Sequence, residues 1–155
     1  MVDWNERFMK LAEYIASWSK DRSTKYAAII IDKNHRIIST GYNGFPSGCN
    51  DEIEEWHQRP QKYFYSEHSE RNAIYSAARA GIPLDGCTIV VNGFPCADCA
   101  RAIIQSGIKN LVCYKPEVDD LWNKRWGESQ EASYKMFCQV DIKLVYLEKV
   151  NMLEF

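Results

Sequence analysis

The sequence predicts an α/β fold of three layers, α/β/α, with a five-stranded mixed sheet and helices on both faces. Two observations predict it. Apolar residues recur at helical spacing in some stretches and as short β-like runs in others, in the order ββ-α-β-α-β-α-β after an N-terminal helix. The 155 residues contain no repeat, no low-complexity tract and no linker, so we expect one domain over 1–155, large enough to bury a core.

Each element has its own signal. Asp3 is placed to cap a first helix, with Glu6 three residues on. Trp4, Phe8, Leu11, Ile15 and Trp18 then step by four and three as an apolar stripe, expected to face the core until the helix ends near Ser19. A polar link, Ser19 to Lys25, leads into a buried strand over Tyr26–Ile31. A turn at Asp32–His35 follows, then a returning strand over Arg36–Thr40. His35, at the hairpin tip, should lie at the surface. A helix is expected over Asn72–Ala78, stopped before Gly81 and Pro83, and a third strand over Cys87–Asn92. Ala100, Ile103, Ile104 and Ile108 mark the next helix, with Gly107 as its stop. Asn110–Lys115 is a fourth strand, Ser129–Val140 a last helix and Lys143–Leu147 a fifth strand. Pro116–Gly127, with Trp122 and Trp126, reads as irregular or partly helical.

Composition narrows the class. Hydrophobic residues make up 46% and charged residues 26%, ordinary for a globular protein. No apolar run approaches a membrane span, and the acidic, polar start Met1–Glu6 does not resemble a signal peptide. Six cysteines without such a signal suggest reduced thiols, hence a cytoplasmic setting, a host's cytoplasm if the gene is viral. The net charge of −2 lacks the basic excess of a polynucleotide binder, so a small-molecule substrate is expected and no nucleic acid.

The chemistry lies in His68-Ser69-Glu70, answered 25 residues later by Pro95-Cys96-Ala97-Asp98-Cys99. One imidazole and two thiolates suit Zn²⁺, and three protein ligands leave a coordination position open, as catalytic zinc requires. Cys96 and Cys99, at i and i+3, share a face if they open a helix, and Pro95 fits just before its start. Helix N-termini also favour thiolates. Glu70, two residues from His68, need not ligate the metal and is free to handle protons. The spacing H-x-E…P-C-x-x-C is the signature of zinc nucleobase deaminases. A structural zinc would want a fourth ligand. Cys87 and Cys113 lie in apolar runs and read as buried hydrophobes. A redox C-x-x-C would leave His68 and Glu70 without a role.

Gly41-Tyr42-Asn43-Gly44-Phe45-Pro46-Ser47-Gly48 reads as a ligand loop: glycine admits close backbone approach, and Asn43 offers a donor and an acceptor. Arg22 and Lys25 are candidate phosphate contacts, although a solvated loop explains them more simply. Asn50–Ser66 is long and aromatic, as functional loops often are, with a helical turn expected at Asp51–Trp56. Cys49 and His57 within and beside it are weighed as a second metal site, against surface packing.

Thr40-Gly41-Tyr42-Asn43-Gly44, Glu67-His68-Ser69-Glu70-Arg71-Asn72-Ala73 and Pro95-Cys96-Ala97-Asp98-Cys99-Ala100-Arg101 together resemble the cytidine deaminase-like fold, and within it the deoxycytidylate (dCMP) deaminases of phages and bacteria. The likeness runs from the first helix to about Leu147; Ser69 departs from the family's usual alanine. The resemblance implies zinc on His68, Cys96 and Cys99, Glu70 as proton shuttle, and substrate contacts at Asn43, Tyr42 and Ser69. It implies deamination of dCMP to dUMP, which supplies thymidylate synthesis. It further implies activation by dCTP and inhibition by dTTP, with Mg²⁺ accompanying the triphosphate, and a homo-oligomer, often a hexamer. Gly41, Gly44, Phe45 and Lys25 would lie nearest such a regulator. Rival readings are a same-fold deaminase of deoxycytidine, dCTP, guanine or tRNA adenosine, and a zinc- and nucleotide-binding protein without activity. An intact Glu70 counts against the last.

Overall fold

The computed structural model describes residues 3–116 and 123–153. Its sheet has the strand order β2-β1-β3-β4-β5. Strand β1 (Ala27–Ile31) is antiparallel to both neighbours, β2 (Ile37–Tyr42) and β3 (Thr88–Val91), while β3, β4 (Asn110–Tyr114) and β5 (Lys143–Leu147) run parallel. The hairpin needs only a tight turn. Each parallel step needs a crossover, supplied by α4 (Ala97–Gln105) and α5 (Glu128–Gln139).

All five residues of β1 are buried because both its faces are covered, which is why it reads as a continuous apolar run. Ala28 and Ile30 join Ile89, Leu111, Ala73 and Ala77 of α3 (Ser69–Arg79), Ile103 of α4 and Phe137 of α5 on one side. Ala27, Ile29 and Ile31 meet Phe8, Met9, Ala12 and Ile15 of α1 (Trp4–Ala16) on the other. Three helices therefore cover one face and α1 the other. Asp3 caps α1, its carboxylate accepting from the Asn5 and Glu6 amides.

Two expectations need correction. The stripe of α1 is only half right: Phe8 and Ile15 are buried, but Trp4 and Trp18 are 43% and 51% exposed. The buried face turns instead through Met9, Ala12 and Ala16, whose small side chains let the helix lie close on β1. Trp4 stacks on exposed His35 at 4.8 Å, and Trp18, past the helix end, meets Tyr42 edge-on. The second correction concerns Gly41, which belongs to β2, so the glycine loop starts later than its sequence suggests. A Cβ on Gly41 would fall 2.3 Å from Ala73 N and 2.5 Å from Ser69 O. Its missing side chain admits α3, not a ligand.

Boundaries elsewhere shift by one to three residues. The turn expected at 51–56 is a short 3₁₀ segment at Glu54–His57, followed by an unanticipated single-turn helix α2 (Lys62–Tyr65). Within 116–127, residues Asn123–Gly127 form a π-helical turn, and Trp122 lies outside the described residues. No described helix is long and apolar enough to cross a membrane.

Candidate active site

The site forms where β1 begins and β2 and β3 end, because the antiparallel register brings Tyr26, Asn43 and Gly93 to one edge of the sheet. Above this edge α3 and α4 start side by side. His68 is the N-cap residue of α3 and Glu70 its second residue; Cys96 is the N-cap residue of α4 and Cys99 its third. Four reactive groups thus sit at two helix N-termini, where the helix field favours negative charge.

Nδ1 of His68 lies 3.4 Å from Cys96 Sγ and 3.5 Å from Cys99 Sγ. The three donors fall within 4.8 Å of one another and are the one such cluster among the described residues. Zn–N and Zn–S bonds of ordinary length at a tetrahedral angle put N and S about 3.6 Å apart. The donor set and its spacing therefore fit zinc. A hydrogen bond from Cys99 and then the nearby His68 pull the Cys96 thiol down to about 4, against its burial. The same bond to Cys96, together with burial, raises Cys99. The hydrogen bond to Cys96 raises His68.

Glu70 is 6% exposed, and burial raises its pKa above the ordinary carboxylate value. Ser69, fully buried, donates its hydroxyl to Glu70 Oε2 at 3.1 Å.

His68, Ser69, Glu70 and Cys96 form the floor of a cavity of about 250 Å³. Its walls include Asp21, Tyr26, Asn43, Lys62, Phe94 and Gln130, and its exposed lining residues Arg59, Tyr63 and Arg125, with half-buried Trp126, mark its mouth. Asn43 is buried; its Oδ1 accepts from the Tyr26 amide at 2.8 Å and its Nδ2 donates to the Thr24 carbonyl at 2.9 Å, holding the cavity wall. Lys62 Nζ is buried against Asp21 at 2.9 and 3.1 Å. Trp126 meets the His68 ring edge-on at 6.1 Å.

The structure brings together His68, Ser69, Glu70, Cys96 and Asn43 in one cavity, with Cys99 Sγ 3.5 Å from His68 Nδ1. It does not bring Tyr42 there. That ring is 41% exposed and lines a separate cleft of about 90 Å³ with Trp18, Lys20, Gly44, Phe45 and His57, because alternate residues of β2 face opposite ways. Lys25 is exposed and lines neither, and Arg22 pairs with Glu54 at 2.7 Å. Gly44 joins Glu67 through two backbone hydrogen bonds, and Phe45 stacks on His57 at 4.7 Å. Cys49 and His57 do not form a metal cluster among the described residues; His57 Nε2 contacts the Asp51 carbonyl at 2.6 Å. The sequence reading missed Arg59, Lys62, Arg125 and Gln130. Arg59 and Arg125 lie outside the regular helices and strands and Lys62 and Gln130 are single polar residues at helix starts, so none carries a periodic signal; only the length of the 50–66 stretch hinted at Arg59 and Lys62.

Residues 2–115 match the sequence pattern of the cytidine and deoxycytidylate deaminase zinc-binding region. The chain belongs to this deaminase family. It is 42% identical over 144 residues to an uncharacterised deaminase of Aliivibrio fischeri, 93% of each chain. It is 36% identical over 124 residues to the human deoxycytidylate deaminase, covering 77% of this chain and 68% of that one. Among solved structures it resembles a dCMP deaminase of the cyanophage S-TIM5 in complex with dCMP and dUMP. That match has a TM-score of 0.73 at 26% identity and spans 92% of this chain and 95% of the phage enzyme. The five-stranded deaminase fold expected from the sequence is therefore the fold found.

Proposed function

We propose that the chain hydrolyses dCMP to dUMP and ammonia. One observation carries the choice of a nucleotide: Arg59 and Arg125 stand at the mouth of the cavity whose floor is Glu70 and the His68–Cys96–Cys99 cluster, and neither has a carboxylate partner among the described residues. Arg59 donates from Nε to the Tyr63 hydroxyl at 2.8 Å, leaving the outer nitrogens of its fork available. Two guanidiniums facing one cavity suit a phosphate bound there, with its base directed to the floor. The deoxycytidylate deaminases among the relatives support the same substrate.

His68, Cys96 and Cys99 would hold the zinc. When bound, that ion supplies a Lewis acid able to make water a nucleophile at neutral pH. Glu70 then moves the protons: its carboxylate accepts one from the attacking water, returns it to the ring nitrogen, and a second transfer lets the amino group leave as ammonia. Ser69 steadies the carboxylate through Oε2. Asn43 keeps the wall against which the pyrimidine would lie. Phe94 and Trp126 narrow the space above the floor and exclude bulk water.

Control by dCTP and dTTP, a Mg²⁺-bound triphosphate and a hexameric assembly belong to the same proposal. The small cleft of Tyr42, Gly44 and Phe45 supports a regulator site, since Gly44 is bonded to Glu67, the neighbour of His68. At about 90 Å³ it is below the usual size of a ligand site and would have to open.

The test is ammonia release, or loss of cytosine absorbance, with dCMP, CMP, dCTP and deoxycytidine, each with and without dCTP, dTTP and Mg²⁺ as effectors. We expect turnover of dCMP above the others, lowered by dTTP. Turnover of deoxycytidine but not of dCMP would refute the phosphate reading.

A further inference from the structure

Three donors within 4.8 Å of one another come from the starts of two separate helices, so something must fix the gap between them. Arg71 is placed to do so. It stands on the first turn of α3 with its side chain 20% exposed. Its Nε and Nη2 hold Glu67 Oε1 at 2.6 and 2.5 Å, and that oxygen also accepts the His68 amide at 2.8 Å. On the other side, Nη1 lies 3.6 Å from Oδ2 of Asp98, which sits between Cys96 and Cys99. Asp98 is kept in place by Arg101 one turn along α4.

We propose that Arg71 is a positioning residue for the metal. Its guanidinium ties Glu67, at the His68 half of the site, to Asp98, at the two-cysteine half, and so sets the spacing of the three donors. The inference rests on the reading that these donors hold zinc, and is independent of which nucleotide is the substrate. A planar fork can address two carboxylates in different directions at once, whereas a lysine ammonium is a single point on a flexible stem. Groups that orient metal ligands without touching the metal typically change affinity 10–100-fold when removed.

The experiment uses zinc-loaded protein and a chelator challenge. Zinc release is followed with a colorimetric indicator, and Tm is measured on the same samples. Arg71→Gln is expected to release zinc about tenfold faster than the unsubstituted protein. Arg71→Lys, which keeps the charge but loses the fork, should release it nearly as fast. Lys135→Gln, which breaks an exposed pair with Glu131 on α5, should release it at the original rate. Release from Arg71→Gln at the original rate would overturn the proposal. So would full rescue by Arg71→Lys, which would leave charge alone as the cause. If Arg71→Gln does not fold, Asp98→Asn cuts only the α4 arm: faster release then supports the tie, and unchanged release refutes it. An unsubstituted protein that takes up no zinc would instead refute the underlying zinc reading, and the tie with it.

Discussion

The floor and the mouth of the cavity are built differently. The floor is made of His68, Glu70 and Cys96, with Cys99 beside His68, set at the starts of two helices that rest on the sheet. Cys99 and Ser69 are wholly buried and Glu70 nearly so. At the mouth stand Arg59, Tyr63 and Arg125, exposed or partly so, on a single-turn helix, its approach and a π-helical turn. Regular elements hold reacting groups within a fraction of an ångström, which bond-making requires. Irregular segments can be altered without disturbing the core, which suits choice of substrate. On the proposed function the floor would carry the chemistry and the mouth the selection of an anion.

The largest effect expected is at the floor. Glu70→Gln keeps the shape but cannot accept a proton, and turnover should fall about 10³-fold while zinc content stays unchanged. A steady-state assay beside a metal analysis checks both. Loss of zinc together with activity would mean that Glu70 also shapes the metal site.

Next comes the wall that joins the two regions. Lys62→Met leaves the buried Asp21 carboxylate without its ion partner and should cost about 3 kcal/mol in denaturant unfolding. Burial works to raise Asp21, but the Lys62 bond and the Thr24 and Ser23 amides outweigh it, leaving the folded pKa below the ordinary value. Its contribution is therefore complete above about pH 4, the unfolded value, and is lost as pH falls through the lower folded one. The substitution should flatten that acid limb. A variant as stable as the parent would show that the mouth does not depend on this wall.

Gly41→Ala tests the floor's support from beneath. Its Cβ would meet the backbone of α3 at 2.3–2.5 Å, and the helix must shift to admit it. We expect about 2 kcal/mol of lost stability by thermal melting, with activity falling at temperatures where the fold is intact. Unchanged stability would mean that α3 yields without cost.

The smallest effect is expected at the mouth itself. Arg59→Gln with Arg125→Gln should raise KM for dCMP about tenfold, equivalent to about 1.4 kcal/mol, and leave kcat nearly unaltered. Deoxycytidine turnover should not change. A fall in kcat alone would move these arginines from selection to chemistry.

The contrast also marks how far the sequence could be read. The donors were legible because each lies within a few residues of a partner, and helix geometry converts i, i+2 and i, i+3 spacings into positions. Phe8, Ile15 and the run Ala27–Ile31 were legible for the same local reason. Trp4 and Trp18 were misread because periodicity identifies an apolar face but not where its neighbour stops. Gly41 was misread because a close helix and a close ligand both require a missing side chain.

By itself, then, the sequence determined the element order, the mixed sheet and the two short spacings, His68 to Glu70 and Cys96 to Cys99, from which the proposed donor cluster and proton carrier are drawn. Tertiary structure alone decided that Arg59, Lys62, Arg125 and Gln130 line one cavity, that Tyr42 faces another, and that Arg71 lies between the halves of the metal cluster. The reason is physical. Local spacing fixes directions within one element, whereas convergence of residues 59, 71 and 125 depends on how the sheet's register and its crossovers place separate segments against each other.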